Sequence, residues 1–490
     1  MPSQTRKITL DTVALFSGRA VGLLLGVVRL NYLATYLGVA GFGILNFAAY
    51  FTALFQSLFD LGMGQLIARE IARDLPRSTV LLGRAVVLKI LIVTVASLLV
   101  GLATLLSGFD AMTNWAVVLT TITLAINGMS GLFLSAFQAH RKMVTVSVAN
   151  IVNDVIVSAA IIIMIPTLPS VITALTLTAA VSLVNLLILA RLYRARVGPP
   201  RYAVDAQMWK MMLAEGTPMA VSAFGISTYT FIGPTLLKYY RGEAEVGLYS
   251  AGYRIISILT LIPTVFTQVI FPVFSDFFAH ARHKLEKALA DSLRVISIVS
   301  IPLATGTIFL APKIFSLLYT EQYTPGIIVL QVAIAGNILG YMDWVMYSFL
   351  LAIRRQVFLM TISLSVGACV LVASLFLIPA FGFVTLPFLQ AATEAALFGI
   401  QISYLFHLGY RSFGMAQVTK PVVAAALMGI VLWSLRELHL FLLIAAGGAV
   451  YLAALYMLKG LGEQEMTILK SVLSWKGQPA PGVKENGGAR

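Results

Sequence analysis

Three arginines, Arg19, Arg29 and Arg254, stand inside long apolar runs, where hydrocarbon rather than water is expected to surround the chain. An ionised side chain at that depth costs about 2.5 to 3.5 kcal/mol on insertion scales, so each marks a candidate functional position. A guanidinium keeps its proton and cannot relay one; it holds oxyanions through a planar, bidentate fork. A permanently cationic pocket implies an anionic cargo, and phosphate or pyrophosphate oxygens match the fork best. Gly18, Gly22 and Gly26 recur every fourth residue along the first apolar run, and Arg29, seven residues after Gly22, shares their face. The glycines themselves read as a tight helix-packing face. For the arginines, the competing reading is snorkelling or pairing with an internal acid.

Other apolar runs carry polar stripes at helical spacing: Ser147, Asn150, Asp154 and Ser158; Asn337, Tyr341, Trp344 and Ser348; Gln390, Glu394 and Gln401. Ser257, Thr264 and Gln268 extend such a stripe from Arg254. Amides, hydroxyls and aromatic faces suit a hydroxyl-rich ligand, which makes Asn150, Tyr229, Asn337, Tyr341 and Gln390 candidates beside the arginines. Hydrogen bonding between helices is the alternative for any one of them. The acids Asp60, Asp154, Asp343 and Glu394 could bind a coupling cation or neutralise the arginines. Glu215, Ser222 and Tyr229 follow one another at heptad spacing on a segment interrupted by Pro218, Gly225, Gly233 and Pro234, a helix expected to bend. The single cysteine, Cys369, reads as a small core residue. Neither a P-loop nor an HExxH pair is present, so no cofactor or metal is called for.

These residues must be positioned by lipid-embedded helices. The chain has 490 residues, 59% hydrophobic and 11% charged, with a mean hydropathy of +0.91. Ordinary soluble domains carry about 25% charged residues, and one span consumes only about 20 residues, so most of the chain belongs in a membrane. Apolar runs near 11–37, 44–66, 86–107, 114–137, 146–165 and 169–190 predict six spans. Eight more are predicted near 213–237, 246–274, 292–318, 325–351, 357–379, 382–408, 419–435 and 440–458. Alternating the loops places 27 of the 34 Lys and Arg on the side of both termini. Only Lys238, Arg241, Lys313 and Arg436 fall on the other side. This asymmetry predicts cytoplasmic termini and an inner-membrane protein.

A shift of 204 residues aligns Tyr36, Gly38, Ala40 and Gly43 with Tyr240, Gly242, Ala244 and Gly247; a shift of 213 aligns Ser135, Ala139, Arg141 and Lys142 with Ser348, Ala352, Arg354 and Arg355. The expected fold is therefore an all-α integral membrane protein of about 14 transmembrane helices. Two six-helix lobes, 1–195 and 213–415, repeat in parallel orientation about a cytoplasmic linker, 196–212. Two accessory helices lie within 416–460, and a disordered tail occupies 461–490, with substrate between the lobes.

Residues 36–74, YLGVAGFGILNFAAYFTALFQSLFDLGMGQLIAREIARD, resemble the opening of the Wzx-type polysaccharide-export flippases. Their superfamily, MOP, also holds the MATE multidrug exporters and the lipid II flippase MurJ. The resemblance rests on Leu37-Gly38 followed by Gly43, the Asp60-Leu61-Gly62 step, the basic end Arg69 to Arg73, and the counterpart Val246 to Tyr249 with Tyr253-Arg254. It implies two lobes around a V-shaped cavity and alternating-access export of an undecaprenyl-pyrophosphate-type lipid-linked oligosaccharide. That export serves O-antigen (lipopolysaccharide), capsule or exopolysaccharide synthesis alongside polymerase or export machinery, with membrane lipids as the other partners and no nucleic acid. Arg19, Arg29 and Arg254 match the cavity cations of such flippases by helix. Ion-coupled multidrug exporters place acids in the first span, where this chain has arginines. A lipid II-type flippase, a drug exporter and a membrane-embedded glycosyltransferase are the other readings.

Overall fold

The computed structural model describes residues 4–411, 416–458 and 460, with side chains described except at 4–21, 23, 24, 143, 222, 226, 229, 416 and 417. Arg19 and Tyr229 thus have placed backbones, but their side chains lie outside the described residues, as does the tail from 461.

All regular structure among the described residues is helical. The first half contains α1 (Gln4–Leu54), α2 (Gln56–Asp60), α3 (Met63–Arg73), α4 (Ser78–Ser107), α5 (Ala111–Ala139), α6 (Met143–Met164) and α7 (Val171–Arg196). The second contains α8 (Ala206–Arg241), α9 (Glu243–Leu259), α10 (Leu261–His280), α11 (Arg282–Leu318), α12 (Ile327–Ala352), α13 (Gln356–Phe381) and α14 (Thr385–His407). Helices α15 (Ala416–Ser434) and α16 (Leu440–Met457) follow and pack on α11.

Among the described residues, ten segments are long and apolar enough to cross a membrane, or eleven when bent α8 counts as one. The difference from fourteen has three physical sources. Helix α1, 51 residues long, would stretch about 76 Å if straight, over twice a hydrocarbon core; non-helical Gly38 divides it into two passes. The apolar segment Gln356–His407 is two passes that turn at Gly382 and pack against each other. The apolar part of α15, Val418–Ser434, falls just short of the length required. The layout is thus the expected bundle of two six-pass lobes in parallel repeat plus two helices. Side chains facing outward stay apolar, such as Leu105 at 78% and Phe441 at 73% exposure, as lipid contact requires.

The repeat is written in backbone conformation. Gly38 (φ 65, ψ 179) and Gly242 (φ 86, ψ −178) share one non-helical geometry at equivalent turns, in a region that only glycine enters without strain. Arg141 (φ 55) and Arg354 (φ 63) share the left-handed conformation at the ends of α5 and α12. Lys142 N–H donates to Phe137 C=O and Arg355 N–H to Leu350 C=O, each at 2.9 Å. Both ends are six-to-one helix stops with arginine in the usual glycine position.

Three sequence expectations change. The second span is not continuous: it breaks at Phe55 and again at Leu61 and Gly62, both left-handed. The eighth is divided at Thr260 into α9 and α10; Ser257 shares a cavity with Arg254, whereas Thr264 and Gln268 do not line it. Cys369 is exposed on α13, not in a core.

With the helices running alternately up and down, the loops after α3, α5, α7, α10, α12 and α14 lie at one end of the bundle, the basic face. There Ser78 Oγ, wholly buried, lies 2.6 Å from Tyr193 Oη and 2.9 Å from His140 Nε2. Burial, reinforced by Lys142, lowers the His140 pKa. The unfolded chain therefore binds more protons than the folded one through the ordinary imidazole range, near 6.5. The contribution of His140 to stability is present above that range and falls as pH drops from about 6.5 through the lowered folded value. Thermal unfolding in detergent between pH 8 and 5 is expected to show this loss, and His140→Gln to remove that part of the slope. Identical slopes in the two proteins would reject it.

Candidate functional site: a cationic cavity between the lobes

At the face opposite the basic one, the two halves close on each other reciprocally. Gly43 lies so near Glu243 that a Cβ would sit 1.8 Å from the Glu243 carbonyl oxygen, and a Cβ on Gly247 would sit 2.1 Å from that of Val39. Gly43 pairs with Gly247 and Val39 with Glu243 under the 204-residue shift, so the contact has the self-complementary pattern of a twofold interface. Hydrogen bonds extend the seal. Tyr323 Oη donates to Ala34 C=O at 3.0 Å, and Asn31 Nδ2 to Leu318 C=O at 2.8 Å. A single apolar cluster containing Leu30, Ala34, Phe42, Ile255 and Leu330 packs across both halves. Lys238, at the end of α8, reaches Asp110 before α5 at 3.4 Å and Glu243 at 2.7 Å. Toward the basic face, Arg69 on α3 pairs with Glu215 on α8 at 2.7 Å.

Between these straps, α1, α6, α9 and α10 line an open cavity of about 380 Å³. Arg29, Arg254 and Asp154 line it, with Gly22, Gly26 and Ser257. Counting 1.5 Å per residue from the opposite-face ends of their helices, the three charged residues all lie about 13 to 17 Å deep, near the middle of a bilayer. Arg254 is exposed to this space and Arg29 partly so. Arg29 interacts electrostatically with both Arg254 and Asp154. Among the described residues, no ion pair of 4 Å or less involves either arginine, so neither guanidinium is consumed by a structural bridge. Within the glycine stripe, Gly18 lies outside the described side chains, and Gly22 and Gly26 differ. A Cβ on Gly26 would meet nothing within 4 Å, and one on Gly22 would meet Asp154 Oδ2 at 2.7 Å. These glycines leave room beside the charges.

The remaining candidates divide. Asn337, Tyr341, Gln390 and Glu394 line a separate cavity of about 210 Å³ inside the second half, together with Trp344 and the stacked pair Tyr249 and Tyr253. Gln390 Nε2 donates to Asn337 Oδ1 at 3.4 Å. Asn150 is exposed on α6 and lines neither cavity. Asp343 is buried and accepts a hydrogen bond from Gln401, outside both cavities. The four acids are therefore not gathered in one site, although Asp343 and Glu394 interact electrostatically across α12 and α14. Helix α8 bends by 52° between Ala206–Gly225 and Thr230–Arg241, within the segment rich in Gly and Pro.

Asp60 faces Lys89, which sequence reading assigned to the loop 67–89. It belongs to α4 and is wholly buried (0% exposed), its Nζ 3.3 Å from an Asp60 Oδ and from the Asp60 carbonyl oxygen. The sequence signal was its position inside the apolar run, which a loop count overrides. Lys89 ties the broken second pass to α4. Asp60→Ala strands the buried ammonium, and an expected loss of about 2 kcal/mol follows. Lys89→Met/Asp60→Ala should recover most of it in thermal unfolding; a single Asp60→Ala as stable as the parent would refute the pairing.

The sequence profile of a family described as polysaccharide biosynthesis protein matches residues 8–278, more than half of the chain. The lipid II flippase MurJ, in an inward closed conformation, superposes with a TM-score of 0.75 at 14% identity, over 95% of this chain and 100% of that one. An inward-facing multidrug resistance MATE transporter of the MOP superfamily gives 0.67 at 14% identity, over 80% and 96%. A MOP superfamily transporter from Pyrococcus furiosus, described as having a binding pocket of reverse polarity, gives 0.55 at 15%, over 81% and 95%. At such identities the likeness is one of fold alone, a fold shared with these flippase and transporter structures. No curated protein matches the chain.

Proposed function

We propose that this chain, which belongs to the polysaccharide biosynthesis protein family, is a flippase that moves a polyprenyl-pyrophosphate-linked oligosaccharide from the cytoplasmic to the outer leaflet by alternating access. The observation that carries this reading is the shared cavity of Arg29 and Arg254, two guanidinium groups at mid-bilayer depth with space in front of them. A diphosphate ester offers oxygens for two such forks, and its negative charge repays the desolvation of the arginines. Arg19, nearly three turns before Arg29 on the same helix, joins them in this reading. A cationic drug would meet two like charges against one acid there, which disfavours an exporter of such drugs.

The basic face is cytoplasmic in this proposal, as its excess of Lys and Arg requires. The aromatic and amide cavity around Asn337, Tyr341 and Gln390 serves the hydroxyl-rich glycan. Outward movement of an anion runs down an inside-negative potential worth about 2.3 kcal/mol per charge per 100 mV, so the potential itself can drive the cycle. The chain needs no enzymatic step of its own and hands its cargo to polymerase or export machinery, for O-antigen, capsule or exopolysaccharide.

Depletion of the protein tests the cargo. Mass spectrometry of the accumulated lipids should reveal a polyprenyl pyrophosphate bearing a repeat-unit oligosaccharide, restored to normal by re-expression. Accumulation of lipid II in its place, or of no glycolipid, would overturn the assignment.

A further inference from the structure

We infer that Asp154 is a built-in competitor for Arg29, an internal carboxylate that takes the place of the cargo's phosphate and thereby promotes release. This inference rests on the flippase reading and adds a residue with the opposite sign to its site. Helix side chains lean toward the N-terminus, which directs Arg29 back along α1 toward Gly26, and Gly22, one turn further on, lines the same cavity. Neither glycine has a side chain to obstruct it, and the space over Gly26 is open. Asp154 approaches that same face from α6, its Oδ2 2.7 Å from where a Gly22 Cβ would stand. The absence of a Cβ at Gly22 is what admits the carboxylate. Asp154 and Arg29 interact electrostatically, and both line the cavity that Arg254 enters from α9.

Two guanidinium groups facing a diphosphate with no competitor would bind it tightly in every conformation, and uniform tight binding slows turnover. A carboxylate on the same lobe as Arg29, carried by α6, changes that balance. Cargo must displace it to reach Arg29 fully, and its return on the opposite side of the cycle eases the diphosphate away. Its removal should therefore strengthen binding and slow transport together. A residue that merely supported the fold would weaken both.

The test uses the full-length protein in detergent and in proteoliposomes. The probe is a short-chain polyprenyl pyrophosphate carrying one N-acetylhexosamine, and the control is the matching monophosphate without sugar. Asp154→Asn is expected to lower the half-saturating probe concentration about tenfold and to reduce the flipping rate by a similar factor. Asp154→Glu, which keeps the charge, should hold both within about twofold of the parent. Gly22→Ala, which pushes the carboxylate off α1, should move both quantities in the same direction as Asp154→Asn but by less. Weaker binding, or unchanged affinity, in Asp154→Asn would overturn the competitor role. Failure of the parent protein itself to bind the probe better than the control would instead overturn the flippase reading beneath it.

Discussion

Replacing Arg29 and Arg254 together by alanine should reduce glycan export at least about a hundredfold while leaving the protein folded and in the membrane. Each charge-assisted contact to a phosphate oxygen contributes about 1.5 to 3 kcal/mol, and 1.4 kcal/mol is a factor of ten, so losing both removes at least two decades. Single replacements should cost about tenfold or more each, and lysine should restore only part, because an ammonium lacks the planar fork. Neither arginine closes an ion pair with a described residue, so the fold has little to lose. Surface polysaccharide measured per molecule of membrane-inserted protein reads the effect, with a flipping assay in vesicles as its biochemical counterpart. Export within twofold of the parent in the double variant would end the case for a diphosphate held by these side chains.

The expectation that Arg29 and Arg254 meet came from their burial in apolar runs, and the structure brings them to one cavity at similar depth. Period and hydropathy suffice for that, since they fix which helix and which height a residue occupies. They do not fix which partner sits opposite. Lys89 and Asp60 illustrate the gap: an aspartate in one broken helix and a lysine on the next pair across a distance in sequence that no pattern encodes. Gly26 illustrates another, because the spacing of small residues is the same whether a neighbouring helix or an empty cleft lies against them. The polar stripes suffered for the same reason. Asn337, Tyr341 and Gln390 do share a cavity, but α9 separates it from the arginines, since Tyr253 and Arg254 are adjacent on that helix and face different sides of it. The repeat was more legible than any site because it required only that like residues recur at like turns. Gly38 and Gly242 then had to adopt one conformation.

That recurrence leads to the second large effect. Gly43 and Gly247 touch the facing lobe backbone to backbone, as Gly216 does at Leu61 nearer the basic face, and an alanine at Gly43 or Gly247 puts a methyl 1.8 to 2.1 Å from a carbonyl oxygen. No rotamer relieves a Cβ clash, so the helices must separate. Overpacking typically costs about 1 to 3 kcal/mol per site, and the two contacts are related by symmetry and open together. A double Gly43→Ala/Gly247→Ala variant therefore loses about 2 to 6 kcal/mol from the conformer closed at this face, enough to turn a dominant state into a minor one. The strap from Lys238 to Asp110 is too exposed on its acid side to compensate, being a pair of the kind that contributes about 1 kcal/mol or less. Because alternating access requires the protein to close each face in turn, transport should fall below about a tenth of the parent value while the cationic cavity still binds its diphosphate. Spin labels at positions 36 and 240, exposed tyrosines at the equivalent turns, should report a longer and broader distance distribution in the variant. An unchanged distribution with full transport would mean that this reciprocal glycine contact is not the closure on which the cycle depends.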